Sequence, residues 1–168
     1  MLQRKAYRKL LDWKKDRNHK ALCVFGARQI GKTTLIRKFG TENYKYFVEL
    51  NFVSDTNASE IFAGSLDANT IITNLTAYTR KPMEPGETLI FFDEVQECPN
   101  VRTAIKFLVE DGRFDYVESG SLLGTRDKQI KSCLHFLYAF LFLNHLLLSI
   151  SSHEFNCTTK TEENSSIS

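Results

Sequence analysis

Nine consecutive residues, Gly26-Ala27-Arg28-Gln29-Ile30-Gly31-Lys32-Thr33-Thr34, have the types and spacing to bind phosphate. They fit G-x-x-x-x-G-K-[ST], the pattern of a loop whose backbone cradles a nucleotide's phosphates. Gly26 and Gly31 can take backbone conformations denied to other residues, so that successive N–H groups turn inward around an anion. A helix starting near Lys32 would aim the positive end of its dipole at the same anion. Lys32 is long enough to reach β- and γ-phosphate oxygens, and the Thr33 hydroxyl is a ligand type for Mg²⁺.

A second set of residues completes such chemistry. The bulky run Thr88-Leu89-Ile90-Phe91-Phe92 ends in Asp93-Glu94, about 60 residues after the loop. At the C-terminal end of a buried strand, Asp93 would stand where open α/β sheets bind ligands, and it is the candidate second ligand for Mg²⁺. Glu94 is placed to orient or deprotonate an attacking water, which makes it, with Lys32, a candidate catalytic residue. A further strand end, Glu118-Ser119-Gly120-Ser121, offers two small hydroxyls. Ser119 or Ser121 could bond the γ-phosphate or the water, and either could equally be an ordinary turn serine.

These groups work only if strands and helices bring them together. Ala21-Leu22-Cys23-Val24-Phe25 is a short apolar run of the kind that forms a buried parallel strand. Leu35, Ile36 and Phe39 then recur at helical spacing, and Gly40 is expected to close that helix. Residues 44–52 read as a second strand, and Lys81–Gly86 reads as the turn before the third. Val101, Ala104, Ile105, Leu108 and Val109 predict a helix ended by Gly112. Phe114 to Val117 opens a fourth strand, and Tyr7, Leu10, Leu11 and Trp13 mark an amphipathic helix over residues 4–17. The fold class is α/β: a P-loop three-layer sandwich with a parallel sheet, incomplete after its fourth core strand.

Composition narrows the setting. The chain has 168 residues, 42% hydrophobic and 25% charged, with a formal net charge of +2. Residues 1–20 carry eight Lys or Arg against two Asp, so the rest of the chain is net acidic. A solvated helix face accounts for that basic end; contact with nucleic acid through Lys14 and Lys15 is the alternative. Cys23, Cys98, Cys133 and Cys157 are widely spaced, without a C-x-x-C, which suits a reducing cytoplasm and argues against a disulfide framework. Cys133, His135, His153 and Cys157 match no zinc-finger spacing. No apolar stretch follows the charges of the first seven residues, so no signal peptide is read.

The loop, the run Phe91-Phe92-Asp93-Glu94-Val95-Gln96 and the run Ser119-Gly120-Ser121-Leu122-Leu123-Gly124 together resemble the prokaryotic AAA-superfamily ATPases of the "AAA domain 14" type. The resemblance covers roughly residues 4–131, with 1–20 as a leading basic helix and 21–131 as the ATPase core. The Arg28-Gln29 pair and Gln96 are its more specific marks. It implies ATP as ligand, Mg²⁺ as cofactor, hydrolysis by the intact domain and a separate C-terminal domain; a homo-oligomer is an open alternative to a monomer.

After Lys131 the pattern changes. Residues 132–153 contain no Lys, Arg, Asp or Glu, and 151–168 are rich in Ser and Thr. Three expectations stand side by side: a tail produced by a frameshift or premature stop, a membrane helix over residues 133–150, or a buried strand or helix that completes the sheet. Without a fifth strand the edge of the loop-bearing strand would lie open and favour aggregation. Three functions follow: an ATPase, a nucleotide-binding remnant with little turnover, or a nucleic-acid-binding module built on the basic helix.

Overall fold

Five strands line up as one parallel sheet in the computed structural model, which describes residues 2–16, 21–27, 29–121 and 138–141. A leading helix, α1 (Leu2–Lys15), precedes β1 (Leu22–Gly26). Helix α2 (Lys32–Asn43) leads to β2 (Tyr46–Asn51), and a 3₁₀ helix (Thr56–Phe62) precedes α3 (Ala68–Thr79). Then come β3 (Thr88–Asp93), a 3₁₀ turn (Val95–Glu97), α4 (Pro99–Asp111), β4 (Asp115–Ser121) and β5 (Tyr138–Leu141). The strand order is β2-β3-β4-β1-β5, and every pairing is parallel. All six residues of β3 are buried, as expected of a strand covered on both faces.

The two faces hold separate cores. On one, Leu10 and Trp13 of α1 and Ile36 and Phe39 of α2 pack on Leu22, Val24, Leu89, Phe91 and Val117. Phe39 is fully buried and meets Tyr7 and Tyr44 edge-on, with ring centroids 6.0 and 5.8 Å apart. Such aromatic pairs add about 0.5–1.5 kcal/mol each beyond the area they bury. The basic leading helix is thus an integral layer of the sandwich. On the other face, α3, α4 and the first 3₁₀ helix cover Ile90, Phe92 and Tyr116.

Helix ends follow local chemistry. Asp67 caps α3 by accepting the Thr70 N–H at 2.9 Å. Pro99 stands in the first turn of α4, where its missing N–H costs nothing, and Gly112 ends that helix at φ 71°.

Two expectations are corrected here. Gly40 does not close α2, which runs on to Asn43. Its glycine answers to packing: a Cβ there would lie 2.3 and 2.6 Å from two ring carbons of Phe47, so the helix lies against β2 as closely as backbone allows. The sheet, in turn, does not stop at its fourth strand. Leu22 to Phe25 pairs with Tyr138 to Leu141, so a fifth short strand covers that edge of β1, in line with the expectation of a strand completing the sheet. That strand falls inside 133–150 and is incompatible with a continuous helix over that stretch. The rest of the stretch, and Cys133, His135, His153 and Cys157, lie outside the described residues. Among the described residues no helix is long and apolar enough to cross a membrane.

Candidate functional site

Parallel pairing puts the C-terminal ends of β1, β3 and β4 on one edge of the sandwich. The register sets Gly26 beside Ser121 and Asn51 beside Asp93, with β4 lying between the strands of the two motifs. Gly26 is the last residue of β1 and is extended rather than turned. The unusual backbone lies further on, at Gln29 (φ 63°) and Gly31 (φ 83°). Nothing lies within 4 Å of where a Cβ of residue 31 would sit, so the left-handed backbone, and not space, selects glycine there.

Gly31 is also the N-cap of α2, and no side chain caps that helix end. The first N–H groups of α2 therefore keep their hydrogen-bonding capacity at the positive end of the dipole, which is the chemistry of an anion site. A cavity of about 390 Å³ opens here, lined by Gln29, Gly31, Lys32, Thr33, Thr34 and Glu94. Lys32 is only 6% exposed, and its ammonium donates to the carbonyls of Ala27 (2.7 Å) and Gly26 (3.2 Å). Ala27 is exposed and Ile30 half-buried beside this cavity, and Arg28 lies outside the described residues.

Asp93, 2% exposed, is the centre of the site. Its Oδ2 accepts from the Thr33 hydroxyl at 3.0 Å and from the Asn51 amide at 2.9 Å. Its Oδ1 accepts from the Glu94 N–H at 3.1 Å and from the Ser119 hydroxyl. Four neutral donors surround a buried carboxylate, and among the described residues no cation forms an ion pair with it. A buried carboxylate in that state calls for a positive partner. The oxygens of Thr33 and Asp93 are the hard donors that Mg²⁺ prefers, so the residues present fit that ion.

Glu94 follows in the left-handed region, at φ 57° and ψ 46°. Non-glycine residues held there cost energy and recur at functional sites. The turn aims its carboxylate at the cavity, and Gln96 Nε2 donates to its Oε2 at 2.5 Å. Ser119 is fully buried and spends its hydroxyl on Asp93, whereas Ser121 is the serine beside the start of the loop.

The sequence reading missed Asn51 as a site residue. Its amide ties Asp93, and its Oδ1 accepts the N–H groups of Val53 (3.1 Å) and Ser54 (2.9 Å), so it also fixes the turn leaving β2. Its signal was its place: an amide ending a strand that must neighbour the one carrying Asp93.

A family model described as AAA domain matches residues 18–155. The match runs past Lys131 into the charge-free segment that had been set outside the resemblance, and that segment supplies β5. No curated protein matches the chain. Among solved structures, PCH-2 from C. elegans superposes with a TM-score of 0.53 at 15% identity, over 83% of this chain and 42% of that one. A RuvB variant from Thermotoga maritima gives 0.52 at 16%, over 84% and 46%. The Aeropyrum pernix ORC1 protein, solved in complex with DNA, gives 0.52 at 13%, over 86% and 45%. The chain thus spans less than half the length of each of these three structures, and what it shares with them is the fold.

Proposed function

The chain belongs to the AAA domain family, and from that premise we propose that it binds ATP with Mg²⁺ at the Gly26–Thr34 loop and hydrolyses it. One observation carries the reading: the Thr33 hydroxyl and the buried Asp93 carboxylate meet at 3.0 Å beside the uncapped start of α2. A hydroxyl and a carboxylate from positions 60 residues apart then face the same anion-binding helix end.

In this reading the N–H groups at the start of α2 hold the phosphate oxygens. Lys32 leaves the carbonyls of Gly26 and Ala27 and places its ammonium on the β- and γ-phosphates. Thr33 and Asp93 would hold Mg²⁺, which when bound supplies positive charge to the phosphoryl oxygens. Asn51 and Ser119 keep the Asp93 carboxylate turned toward Thr33. Glu94 accepts the proton of the attacking water, a role typically worth about 10²- to 10⁴-fold in rate. Titration calorimetry tests the binding half. Lys32→Ala should remove measurable ATP binding while the protein stays folded, and an unchanged Kd would overturn the assignment.

A second reading has its own observation. Lys5, Arg8 and Lys9 are exposed on α1, opposite the buried seam of Ala6, Leu10 and Trp13. Such a basic face could take nucleic acid, with binding that weakens steeply in salt. Lys14 is the wrong residue to test there, because it donates to the Asn43 carbonyl and lies 3.9 Å from the centre of the Tyr44 ring. Charge reversal at Lys5, Arg8 and Lys9 is the informative change, and unaltered DNA retention would dismiss this reading.

A further inference from the structure

On the face of β4 and β1 that α4 covers, away from α1 and α2, lies a buried polar cluster that the chemistry above does not use. Glu118, 1% exposed at the middle of β4, accepts the Cys23 thiol on Oε1 at 2.5 Å. Its Oε2 has no hydrogen-bond partner. The same is true of Nε and Nη2 of Arg102, on α4, and of Oε1 of Gln96, in the turn after Glu94. Among the described residues only five buried side-chain polar atoms are in this state, and four of them belong to these three residues.

Arg102 and Gln96 both lie near Phe25 and Gly120. The Arg102 guanidinium carbon sits 5.3 Å from the centre of the Phe25 ring. A Cβ on Gly120 would lie 2.9 Å both from that ring and from Gln96 Oε1, so the glycine keeps the space open. Glu118 stands two residues before Gly120 on the same face of β4, and Arg102 acts on its charge. Buried polar groups are almost always paired, and two orphan donors and two orphan acceptors match in number.

We propose that Arg102, anchored on Glu118 Oε2, donates to Gln96 Oε1 and thereby makes Gln96 the positioning residue for Glu94. The proposal rests on the hydrolysis reading given above. An amide can face a carboxylate with either end, and only its NH₂ end is attractive. With Oε1 occupied by Arg102, the NH₂ group must face Glu94, as it does at 2.5 Å. Without Arg102 the amide is free to turn, and its oxygen then meets the carboxylate. Among the described residues Oε1 of Glu94 accepts no hydrogen bond, which leaves it for the water. Gln96 thus fixes one oxygen of the base and leaves the other available.

A double-mutant cycle read on turnover and binding tests this. Gln96→Leu and Arg102→Met should each lower kcat by about tenfold, the size of one lost hydrogen bond to a charged group, while Kd for Mg-ATP moves by less than about twofold. The double variant should be no slower than Gln96→Leu, because Arg102 acts through Gln96. Multiplying losses, or an unaltered kcat in Gln96→Leu, would overturn the proposal. If Arg102→Met does not fold with Glu118 left unpaired, Arg102→Met/Glu118→Met removes the buried charge as well and takes its place.

A second readout does not need turnover. Hydrogen exchange at the Gln96 side-chain amide, followed by NMR, should be slow in the native chain and at least about tenfold faster in Arg102→Met. Unchanged exchange refutes the relay. A chain that binds Mg-ATP without turning it over defeats the hydrolysis reading alone, and the amide exchange still decides the relay.

Discussion

Replacing Asn51 by Asp changes one group and little else. The Oδ1 that accepts the Val53 and Ser54 N–H groups is kept, and the NH₂ that donates to Asp93 Oδ2 at 2.9 Å becomes a second carboxylate oxygen. Two like charges about 4 Å apart repel by about 4 kcal/mol at an effective dielectric near 20. The loss has a ceiling, since protonating an ordinary aspartate at pH 7 costs about 4 kcal/mol and would relieve the pair. A net destabilisation of about 3–4 kcal/mol follows, or a drop in Tm of roughly 10–15 °C for a chain of this size. Mg²⁺ should reverse the sign of the interaction, because a cation between two carboxylates is better held than one beside a carboxylate and an amide. Thermal melts in EDTA and in Mg²⁺ decide the matter. Asn51→Asp should melt well below the native chain in EDTA and gain more than the native chain from Mg²⁺. Equal melts in EDTA, or equal gains from Mg²⁺, would refute the placement of the cation at Thr33 and Asp93.

Gly40→Ala should destabilise by about 1–3 kcal/mol in urea melts, although alanine is normally the better helix former, because its methyl overlaps the Phe47 ring; a gain in stability would show that α2 does not lie so close to β2. Glu118 gives a pH-dependent test: burial raises its carboxyl above the ordinary 4.5, against smaller opposing effects of the Cys23 thiol from β1 and of Arg102 from α4. The folded chain then holds that proton more tightly than the unfolded one, so the contribution is full below 4.5 and is lost as pH rises toward the folded value. Glu118→Gln should therefore gain stability relative to the native chain as pH is raised through that interval, and parallel stability curves would contradict it.

Most of the site was legible because its chemistry is local. The loop residues are contiguous, and Asp93 and Glu94 end a run whose apolar character alone marks a buried strand. The residues missed act across the sheet. Asn51 matters because β2 pairs with β3 in a register that sets it beside Asp93, and no spacing along the chain encodes that. Gly40 looked like a helix end because glycine usually is one, and only the approach of Phe47 explains it inside α2. The fifth strand was obscured for a related reason. Tyr138–Leu141 carries no alternation of its own and reads as part of an undivided apolar run that a membrane helix would also produce. Gln96 was visible as a mark of resemblance, but its contact with Glu94 follows from the left-handed turn at Glu94.

The most direct test of the central claim is a paired measurement on the native chain and Glu94→Gln: ATP binding by calorimetry and single-turnover hydrolysis of labelled ATP, both in Mg²⁺. The account predicts closely similar Kd values, with hydrolysis in the variant slower by about 10²- to 10⁴-fold. Equal single-turnover rates in the two proteins would contradict it, and would remove Glu94 from the chemistry that the rest of the site is arranged to support.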